Sequence, residues 1–490
     1  MKFSSSKQVR FFRRLATGVL CVYAFSAFAQ SPLDISNRKQ LFIDSRFIAK
    51  SENVELHVNP AQKMGRIVNE KGEFLRDHVS RVFEDNGKFH LYTGADHLNV
   101  LESEDGIHFK NVGHIPNGIL PTIFLDPHES DPAKKYKLFR VQHGEPFNLA
   151  TDGVFAHYSA DGLNFTEAGR VLPYYCDNPQ VVWWDARINK YVIYTRALQL
   201  NDQNQRRIAR IETDDVLKPW PYTASPDDKM FFTTANTNVV LQADKEDDPF
   251  SDIYYNAATL YTEAQDAYLM FTAQFRHFLP ENQPFLRRKA PGQWEDFGLL
   301  EVQLAVSRDG ISWTRPERVP YVPSGLADEW DRWLHVMCPG YVKRGNYLYQ
   351  YYTSSGRTHD SLVVRAEYDD VKDMGGIGLL KQRVDGFVSA DVDHKGGWIE
   401  TPLLKFSGKR LRLNIDTGAM GTAFVELRDE GGNPIPGFTL AECEEVGGNY
   451  IDQTVYWKGN HDLSALAGKP VRVYFKLTRA KLYSFVFDSQ

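Results

Sequence analysis

The chain is 490 residues long, with 57 Lys and Arg against 63 Asp and Glu and a formal net charge of −6. This mildly acidic balance, without a basic block, argues against a nucleic-acid partner. A chain of this length can bury an adequate core without disulfide staples.

The first 29 residues predict a secretory signal peptide. Basic residues precede an apolar run at residues 15–28, and residues 27–29 are Ala-Phe-Ala, a cleavage site of the A-x-A kind. The run is shorter than the roughly 20 residues that span a bilayer, and we predict no membrane span elsewhere. We therefore expect a secreted or periplasmic protein. The mature chain keeps Cys176, Cys338 and Cys443, an odd and sparse set that excludes a disulfide framework.

Residues 30–380 repeat a pattern of short apolar strands and turns. The motif Ser-x-Asp-Gly-x-x-aromatic occurs at residues 103–109, 159–165 and 307–313, and each copy predicts a strand that leaves a tight Asp-Gly turn. An apolar run, a turn and an aromatic-rich strand recur five times between about residues 75 and 372. Stacked units of this kind bury each other's faces, so the pattern predicts a five-bladed β-propeller, with a large sandwich as the alternative. The glycines of residues 375–378 are interpreted as the linker that leaves the fifth blade.

Residues 381–490 show a different pattern. Apolar and polar residues alternate with a period of two at residues 410–415 and 471–477, which is typical of antiparallel strands with one buried face. Turn signals at residues 429–432 and 466–470 separate such strands. We predict a C-terminal, jelly-roll-like β-sandwich and an all-β fold class for the whole chain.

The propeller geometry selects candidate catalytic residues. First strands line the central channel and begin at one rim, which also receives the ends of second strands and the starts of third strands. Polar residues at or next to predicted first-strand starts are Asp77, His78, Asp177, Asn178, Asp252, Tyr254 and His335. Three carboxylates on one rim suit glycoside hydrolysis, with one as base or nucleophile, one as acid and one to orient the acid or raise its pKa. Each aspartate alone is also a common residue of strand-entry turns.

Glu301 opens the third strand of the fourth blade and is the alternative general acid. Its other interpretation is an ordinary charge on an edge strand.

Arginines recur near the exits of second strands. They are Arg140, Arg196, Arg276 and Arg357. A guanidinium fork matches a carboxylate or sulfate in bidentate fashion, so these residues predict an anionic glycan such as a uronate or a sulfated sugar. The alternative is that they pair with the site's own carboxylates or with acids of the loops.

Histidines at the same rim are candidates for binding sugar hydroxyls or a central metal. They are His78, His277, His335 and His359. No H-E-x-x-H or Cys/His zinc spacing accompanies them, so we predict no metal in the catalytic site and no cofactor, and leave open a structural divalent cation in the channel. The G-x-S-x-G elbow is absent from the sequence, which disfavours acyl transfer.

Several segments together resemble one group of proteins. They are residues 41–44, 252–277, 303–313, 383–389 and 404–417, with Gly437 and Phe438. The group consists of secreted bacterial five-bladed β-propeller glycosidases related to glycoside hydrolase families 32 and 43, and the resemblance covers nearly the whole mature chain.

The resemblance implies roles for individual residues. Members of the wider superfamily place an Asp base on the first blade, an Asp modulator on a middle blade and usually a Glu acid, and Asp77 and Asp177 match the first two by position. The third position here is Asp252 instead of Glu, which leaves the acid unassigned. The Asn-Asp-Pro-Asn signature of invertase-type relatives is missing, which disfavours fructan cleavage.

The leading hypothesis is a secreted glycoside hydrolase acting on a plant or algal poly- or oligosaccharide. The loops at residues 199–207 and 280–297 are placed to close one end of the pocket, which favours trimming of chain ends. A non-catalytic carbohydrate-binding propeller is the alternative from a different class. A sialidase-like enzyme is the third, because the Ser-x-Asp-Gly turns resemble the sialidase Asp-box without its extra Gly and Thr.

Overall fold

The computed structural model of the protein describes residues 31–116, 118–176, 179–199, 205–277, 298–326, 328–359 and 375–489. Within these ranges the chain is built from β-strands, and the helical segments are two short 3-10 helices, Ser45–Phe47 and Pro132–Lys134. The all-β prediction is therefore confirmed. No helix in the described ranges is long and apolar enough to cross a membrane. The predicted signal peptide, Asp177 and Asn178 lie outside the described residues.

Six strands precede the repeating part of the chain. They are β1 (Leu33–Ser36), β2 (Gln40–Leu41), β3 (Lys50–Glu52), β4 (Glu55–Val58), β5 (Gln62–Arg66) and β6 (Val68–Asn69). β1 to β4 pair with strands near the C-terminus, whereas β5 and β6 pair with the repeating sheets.

Five repeat sheets follow, each an antiparallel series of strands in chain order. Sheet 1 contains β7 (Val79–Asp85), β8 (Lys88–Thr93), β9 (Leu98–Ser103) and β10 (His108–Ile115). Sheet 2 contains β11 (Ile119–Leu125), β12 (Tyr136–Gln142), β13 (Gly153–Ser159) and β14 (Thr166–Leu172). Sheet 3 contains β15 (Val181–Asp185), β16 (Lys190–Gln199), β17 (Gln205–Thr213) and β18 (Val239–Leu241).

The fourth and fifth repeat sheets are less regular. Sheet 4 contains β19 (Ser251–Leu260), β20 (Tyr268–His277), β21 (Gly298–Ser307) and β22 (Trp313–Thr314). Sheet 5 contains β23 (Leu334–Met337), β24 (Val342–Arg344), β25 (Tyr347–Ser355) and β26 (Gly376–Arg383). β5 pairs with β26 and completes sheet 5, β6 pairs with β10 of sheet 1, and one parallel pair, Leu300 with Leu334, joins sheets 4 and 5.

Hydrogen bonds connect the repeat sheets in a closed series. Sheet 1 is joined to sheet 2, 2 to 3, 3 to 4, 4 to 5 and 5 back to 1. The bonds are Ser80 Oγ to Pro121 O at 2.5 Å, Tyr191 Oη to Asp126 Oδ2 at 2.7 Å, Tyr268 Oη to Asp185 Oδ2 at 2.8 Å, Gly340 N to Thr259 Oγ1 at 3.1 Å and Val79 N to Thr353 Oγ1 at 2.8 Å. The first strands, β7, β11, β15, β19 and β23, therefore share one central region.

The three Ser-x-Asp-Gly turns have one geometry. In each, the serine hydroxyl donates to the aspartate and accepts from the glycine N–H. A tyrosine of the neighbouring sheet donates to each glycine carbonyl. The three bonds are Tyr351 to Gly106 at 2.8 Å, Tyr92 to Gly162 at 3.4 Å and Tyr194 to Gly310 at 2.5 Å. Each turn thus fastens its own sheet to the sheet before it in the closed series.

The remaining eight strands and β1 to β4 form two six-stranded sheets, which we call the terminal sheets. The eight strands are β27 (Val388–Val392), β28 (Gly397–Glu400), β29 (Leu404–Phe406), β30 (Arg410–Asp416), β31 (Thr422–Arg428), β32 (Asn449–Thr454), β33 (Pro470–Thr478) and β34 (Ala480–Asp488). One sheet runs β1-β29-β33-β28-β3 with β31 beside β33, and the other runs β32-β30-β34-β27-β4 with β2 beside β34. The alternating apolar residues of β30 and β33 are buried in one shared core, as their period of two predicts.

Asp385 connects the terminal sheets to the repeat sheets. Its side chain is fully buried and accepts hydrogen bonds from Tyr261 at 2.7 Å and from Ser484 at 2.8 Å. Lys39 lies 2.9 Å from the same carboxylate and balances its charge. A buried carboxylate with this set of partners orders the junction, because each partner comes from a different part of the chain.

The strands divide the chain at different places from the predicted boundaries at residues 30 and 380. β1 to β4 belong to the terminal sheets, and residue 380 lies inside β26. The glycines at 375–378, expected to be a linker, lead into β26, and a side chain at Gly378 would meet the Tyr352 ring at 2.2 Å. These glycines therefore serve close strand packing, which a composition pattern does not distinguish from a linker.

Alanine at Gly162 tests the tyrosine-to-turn bonds. Gly162 has φ +74°, and a Cβ there would lie 2.7 Å from the Tyr92 hydroxyl. Gly72 has φ +77° with nothing within 4 Å of a built Cβ, so Gly72→Ala is the matched control for backbone strain alone. We expect Gly162→Ala to lower the free energy of unfolding by about 1–3 kcal/mol more than Gly72→Ala, measured by denaturant unfolding. Equal losses in the two variants would show that the tyrosine contact is unimportant.

Candidate functional site

Strand register places the predicted site residues at one rim of the repeat sheets. The pairs that show this are Val79 with Thr93 and Thr93 with Asn99 in sheet 1, and Ser251 with Arg276 and Arg276 with Leu299 in sheet 4. First-strand starts, second-strand ends and third-strand starts therefore meet at this edge, which we call the upper rim.

Asp77 immediately precedes β7 at the upper rim. Its carboxylate accepts hydrogen bonds from the His78 N–H at 3.0 Å, from Asn99 Nδ2 at 2.9 Å and from Thr93 Oγ1 at 3.3 Å. His97 Nε2 lies 3.7 Å away, and the Asp77 side chain is 31% exposed. The carboxylate is therefore fixed in orientation and still accessible to a ligand.

Asp252 occupies the corresponding place in sheet 4, but it is only 1% exposed. Its Oδ2 accepts from Arg206 Nη1 at 3.1 Å and lies 3.3 Å from His277 Nε2, while its Oδ1 has no hydrogen-bond partner in the described part of the chain. Burial alone would raise the pKa of Asp252, but the hydrogen bond to His277 and the charge of Arg206 outweigh burial and lower it. Asp252 is therefore ionised at neutral pH and unsuited to act as a general acid.

Tyr254 lies between two guanidinium groups beside Asp252. The Cζ atoms of Arg196 and Arg206 lie 4.6 Å and 5.0 Å from its ring centroid, a cation–π geometry. Its hydroxyl is 2.9 Å from His359 Nε2, and its carbonyl accepts from Arg196 Nη2 at 2.6 Å. Five predicted residues are thus brought together with Arg206, and we call the six the Tyr254 cluster: Asp252, Tyr254, Arg196, His277, His359 and Arg206.

Two residues of this rim were not predicted. Asn99 stands near the start of β9, and Arg206 stands near the start of β17. Both occupy third-strand starts, a position that the antiparallel rule assigns to the same rim, so applying that rule to every blade would have identified them.

Glu301 lies on the other face of sheet 4 from Asp252. Asp252 pairs with Phe275, whereas Glu301 pairs with Gln274 and Gln274 with Ile253. Paired residues share a face and successive residues alternate, so the two carboxyl groups point away from each other across the sheet. The sequence pattern predicts Glu301 as the alternative general acid on the same rim as Asp252. It does not predict the face of the sheet, because sequence position gives the rim and not the face.

The environment of Glu301 differs from that of Asp252. Burial and the charge of Asp248 raise the pKa of Glu301, and a hydrogen bond from Gln303 at 3.1 Å opposes the shift only in part. Glu301 is the carboxyl in the described ranges for which a raised pKa is resolved. It therefore retains a proton at higher pH than an ordinary glutamate.

The other three predicted arginines are Arg140, Arg276 and Arg357. Arg140 donates to the Pro116 carbonyl at 2.9 Å and lies 3.1 Å from His157 Nε2, within sheet 2. Arg276 is exposed and lies 3.6 Å from Asp248, and Arg357 is exposed after β25. Of the four predicted arginines, Arg196 contacts Tyr254 directly, whereas Arg140 lies within sheet 2 and Arg276 lies beside Asp248.

His78 and His335 have different surroundings. The His78 ring lies 5.7 Å from the ring of Tyr255, so sheets 1 and 4 approach each other near the upper rim. His335 is fully buried and its Nε2 lies 3.2 Å from Ser324 Oγ, which corrects the expectation that it faces a sugar. Burial lowers the pKa of His335 to about 4, although Asp331 acts in the opposite direction. In the described ranges no group of three or more His, Cys, Asp or Glu side chains could hold a metal ion.

His335 should make stability depend on pH. Between its folded pKa of about 4 and its unfolded value of 6.5, the unfolded chain binds a proton that the folded chain does not. We expect the free energy of unfolding to fall as pH decreases from 6.5 to 4, by up to about 3 kcal/mol from this group. His335→Gln should flatten that decline in denaturant unfolding at several pH values, whereas the exposed control His394→Gln should not. An unchanged slope in His335→Gln would contradict the assignment.

No protein-family model matches the chain, and no curated protein matches it. Solved structures do match. A thermostable family-43 glycoside hydrolase is 12% identical, covering 68% of this chain and 96% of that chain with a TM-score of 0.41. A glycosyl hydrolase from Bacteroides ovatus is 12% identical over 71% and 97%, with a TM-score of 0.40. An N-acetylgalactosamine deacetylase from F. plautii, in complex with blood group B trisaccharide, is 11% identical over 68% and 96%, with a TM-score of 0.41. Because these TM-scores are below 0.5, the structural similarity supports no conclusion about the chemistry of this chain.

Proposed function

We propose that this protein is a secreted or periplasmic glycoside hydrolase that removes sugars from the ends of a plant or algal poly- or oligosaccharide, including anionic ones. The observation that carries the proposal is Asp77, a carboxylate oriented by three hydrogen-bond donors and accessible at the upper rim. Asp252, at the corresponding place in sheet 4, supplies a second carboxylate, and its surroundings differ from those of Asp77.

We further propose that the repeat sheets form a five-bladed β-propeller and that the terminal sheets form a β-sandwich. The closed series of hydrogen bonds from sheet 1 through sheet 5 and back supports the ring. The propeller then consists of β5 to β26, and β1 to β4 join β27 to β34 in the sandwich. The proposal that the protein is exported rests on the sequence of residues 1–29.

The proposed roles follow from the electrostatics of each carboxyl. Asp77 acts as base or nucleophile, because it is accessible and its orientation is fixed. Asp252 remains ionised between Arg206 and His277, which suits stabilisation of positive charge on the sugar ring in the transition state. Glu301 acts as the general acid, because its raised pKa lets it hold a proton at higher pH than an ordinary glutamate.

The position of Glu301 constrains this mechanism. Ile253, on the same face of sheet 4, packs with Ile193 and Tyr194 of sheet 3. Asp177 precedes β15, the first strand of sheet 3, in the sequence. We propose that it acts as the modulator of the acid, as the family resemblance suggests. The glycan then crosses the upper rim of sheet 4, with Asp252 on one side and Glu301 on the other.

The Tyr254 cluster is the proposed glycan-binding surface. Two guanidinium groups flank Tyr254, while Asp252 supplies one negative charge. This excess of positive charge favours a uronate or a sulfated sugar.

Substitution of the two aspartates tests hydrolysis. We expect Asp77→Asn and Asp252→Asn each to reduce product release by about 100-fold or more, with glycan binding retained, because each loses a charge that acts in the transition state. Asp214→Asn is the control, since Asp214 pairs with Lys190 at the opposite rim. The measurement is mass detection of products from a panel of plant and marine oligosaccharides, sulfated ones included. Unchanged release in both variants refutes the mechanism, and binding without release by the unaltered protein indicates a carbohydrate-binding propeller.

The acid role of Glu301 predicts a pH dependence. The hydrolysis rate should fall as pH rises through the raised pKa of Glu301, because the acid then loses its proton, whereas Asp252 with its lowered pKa stays ionised there. Glu301→Gln should remove this alkaline limb and should retain activity toward glycosides whose leaving group needs no proton. Glu102→Gln, at a site paired with Lys88, is the control. A Glu301→Gln variant with an unchanged pH profile would assign the acid elsewhere.

A further inference from the structure

Arg81 is a buried cation that the proposed reaction does not use. It lies on β7, four residues beyond Asp77 and therefore beneath the upper rim. Its Nε and Nη1 atoms are shielded from solvent, and neither has a hydrogen-bond partner among the described residues. The residue as a whole is of intermediate exposure, so solvent reaches part of it.

No described carboxylate balances this charge. Burial lowers the pKa of Arg81 to about 10, and the ionisable group that acts in the opposite direction is Cys338. Burial raises the pKa of Cys338 in turn, so its thiol is neutral. A shielded guanidinium without an anion is costly, because a charge removed from water needs a compensating partner.

Two strands and one connecting segment meet near Arg81. Val82 N donates to the Pro339 carbonyl at 3.2 Å, and Gly340 N donates to Thr259 Oγ1 at 3.1 Å. Residues 338–340 therefore lie between β7 and β19. Tyr255 on β19 is buried, and its hydroxyl has no hydrogen-bond partner in the described ranges.

We propose that Arg81 binds a small inorganic monoanion of the halide class beneath the upper rim, between β7, β19 and residues 338–340. One negative charge balances one guanidinium, whereas a dianion would leave a buried excess of negative charge. The unpartnered Tyr255 hydroxyl is the neutral donor that we assign to the ion, because the Cys338 thiol donates to the Pro339 carbonyl at 3.6 Å.

Chloride titration of the full mature chain tests this site without any glycan. Sodium chloride replaces sodium gluconate at constant ionic strength, and the midpoint of thermal unfolding is followed. We expect the midpoint to rise by roughly 2 °C or more between chloride-free and saturating conditions, as binding to the folded state requires. Arg81→Met should show no rise and should be at least as stable as the unaltered protein without chloride.

A control variant and a crystallographic measurement complete the test. Arg187→Met is the control, because Arg187 is paired with Asp185; it should be less stable and yet keep the chloride-dependent rise. Crystals soaked in sodium bromide should show an anomalous peak within hydrogen-bond distance of the Arg81 guanidinium. An equal chloride response in Arg81→Met, or crystals with no bromide at Arg81, would overturn the proposal and show that water alone solvates this guanidinium.

Discussion

Tyrosine hydroxyl groups shared between neighbouring sheets are the interaction on which the rest of this structure depends. Tyr136 donates to Asp85, Tyr191 to Asp126 and Tyr268 to Asp185, so sheets 2, 3 and 4 are each bonded to the sheet before them. Burial and the neighbouring carboxylate raise the pKa of each of these tyrosines, which keeps the hydroxyl a donor. A hydrogen bond of this kind contributes only about 1 kcal/mol net, but its loss would remove one of the donors that satisfy a carboxylate inside the fold. The orientation of each sheet, and with it the convergence of the first strands, follows from these contacts.

The two rims of the repeat sheets differ in how completely their polar groups are paired. The tyrosine–aspartate bonds and the Ser-x-Asp-Gly turns lie where first and third strands end, opposite the upper rim. Polar groups there are paired. At and beneath the upper rim, by contrast, Asp252 Oδ1, His335 Nδ1 and Arg81 Nε have no partner among the described residues. Unpaired polar atoms cost stability, and they persist where a ligand or water is to be bound. The rim opposite the upper rim therefore fastens the sheets to one another, and the upper rim holds the unpaired polar atoms.

Within the upper rim the protein separates carboxyl groups by their surroundings. Asp77 is partly exposed and oriented, Asp252 is buried beside the guanidinium of Arg206, and Glu301 is half-buried near the negative charge of Asp248. Similar side chains thus acquire opposite pKa shifts without any change of residue chemistry. When the surroundings raise the pKa of one carboxyl group and lower that of another, the first can donate a proton while the second stays ionised.

Local pattern in the sequence determined the all-β class, the repeated units, the buried alternation of β30 and β33, and the rim on which Asp77 and Asp252 lie. These features depend on residues that are close together in the chain, because turn residues and the alternation of apolar and polar side chains act locally. They can therefore be predicted from the sequence alone. Only the tertiary structure decided that β1 to β4 pair with the terminal sheets, that Glu301 and Asp252 take opposite faces, and that Arg206 lowers the pKa of Asp252. Strand pairing between distant segments, side-chain direction after a β-bulge and burial of charge are set by residues far apart in the chain, and no local pattern records them.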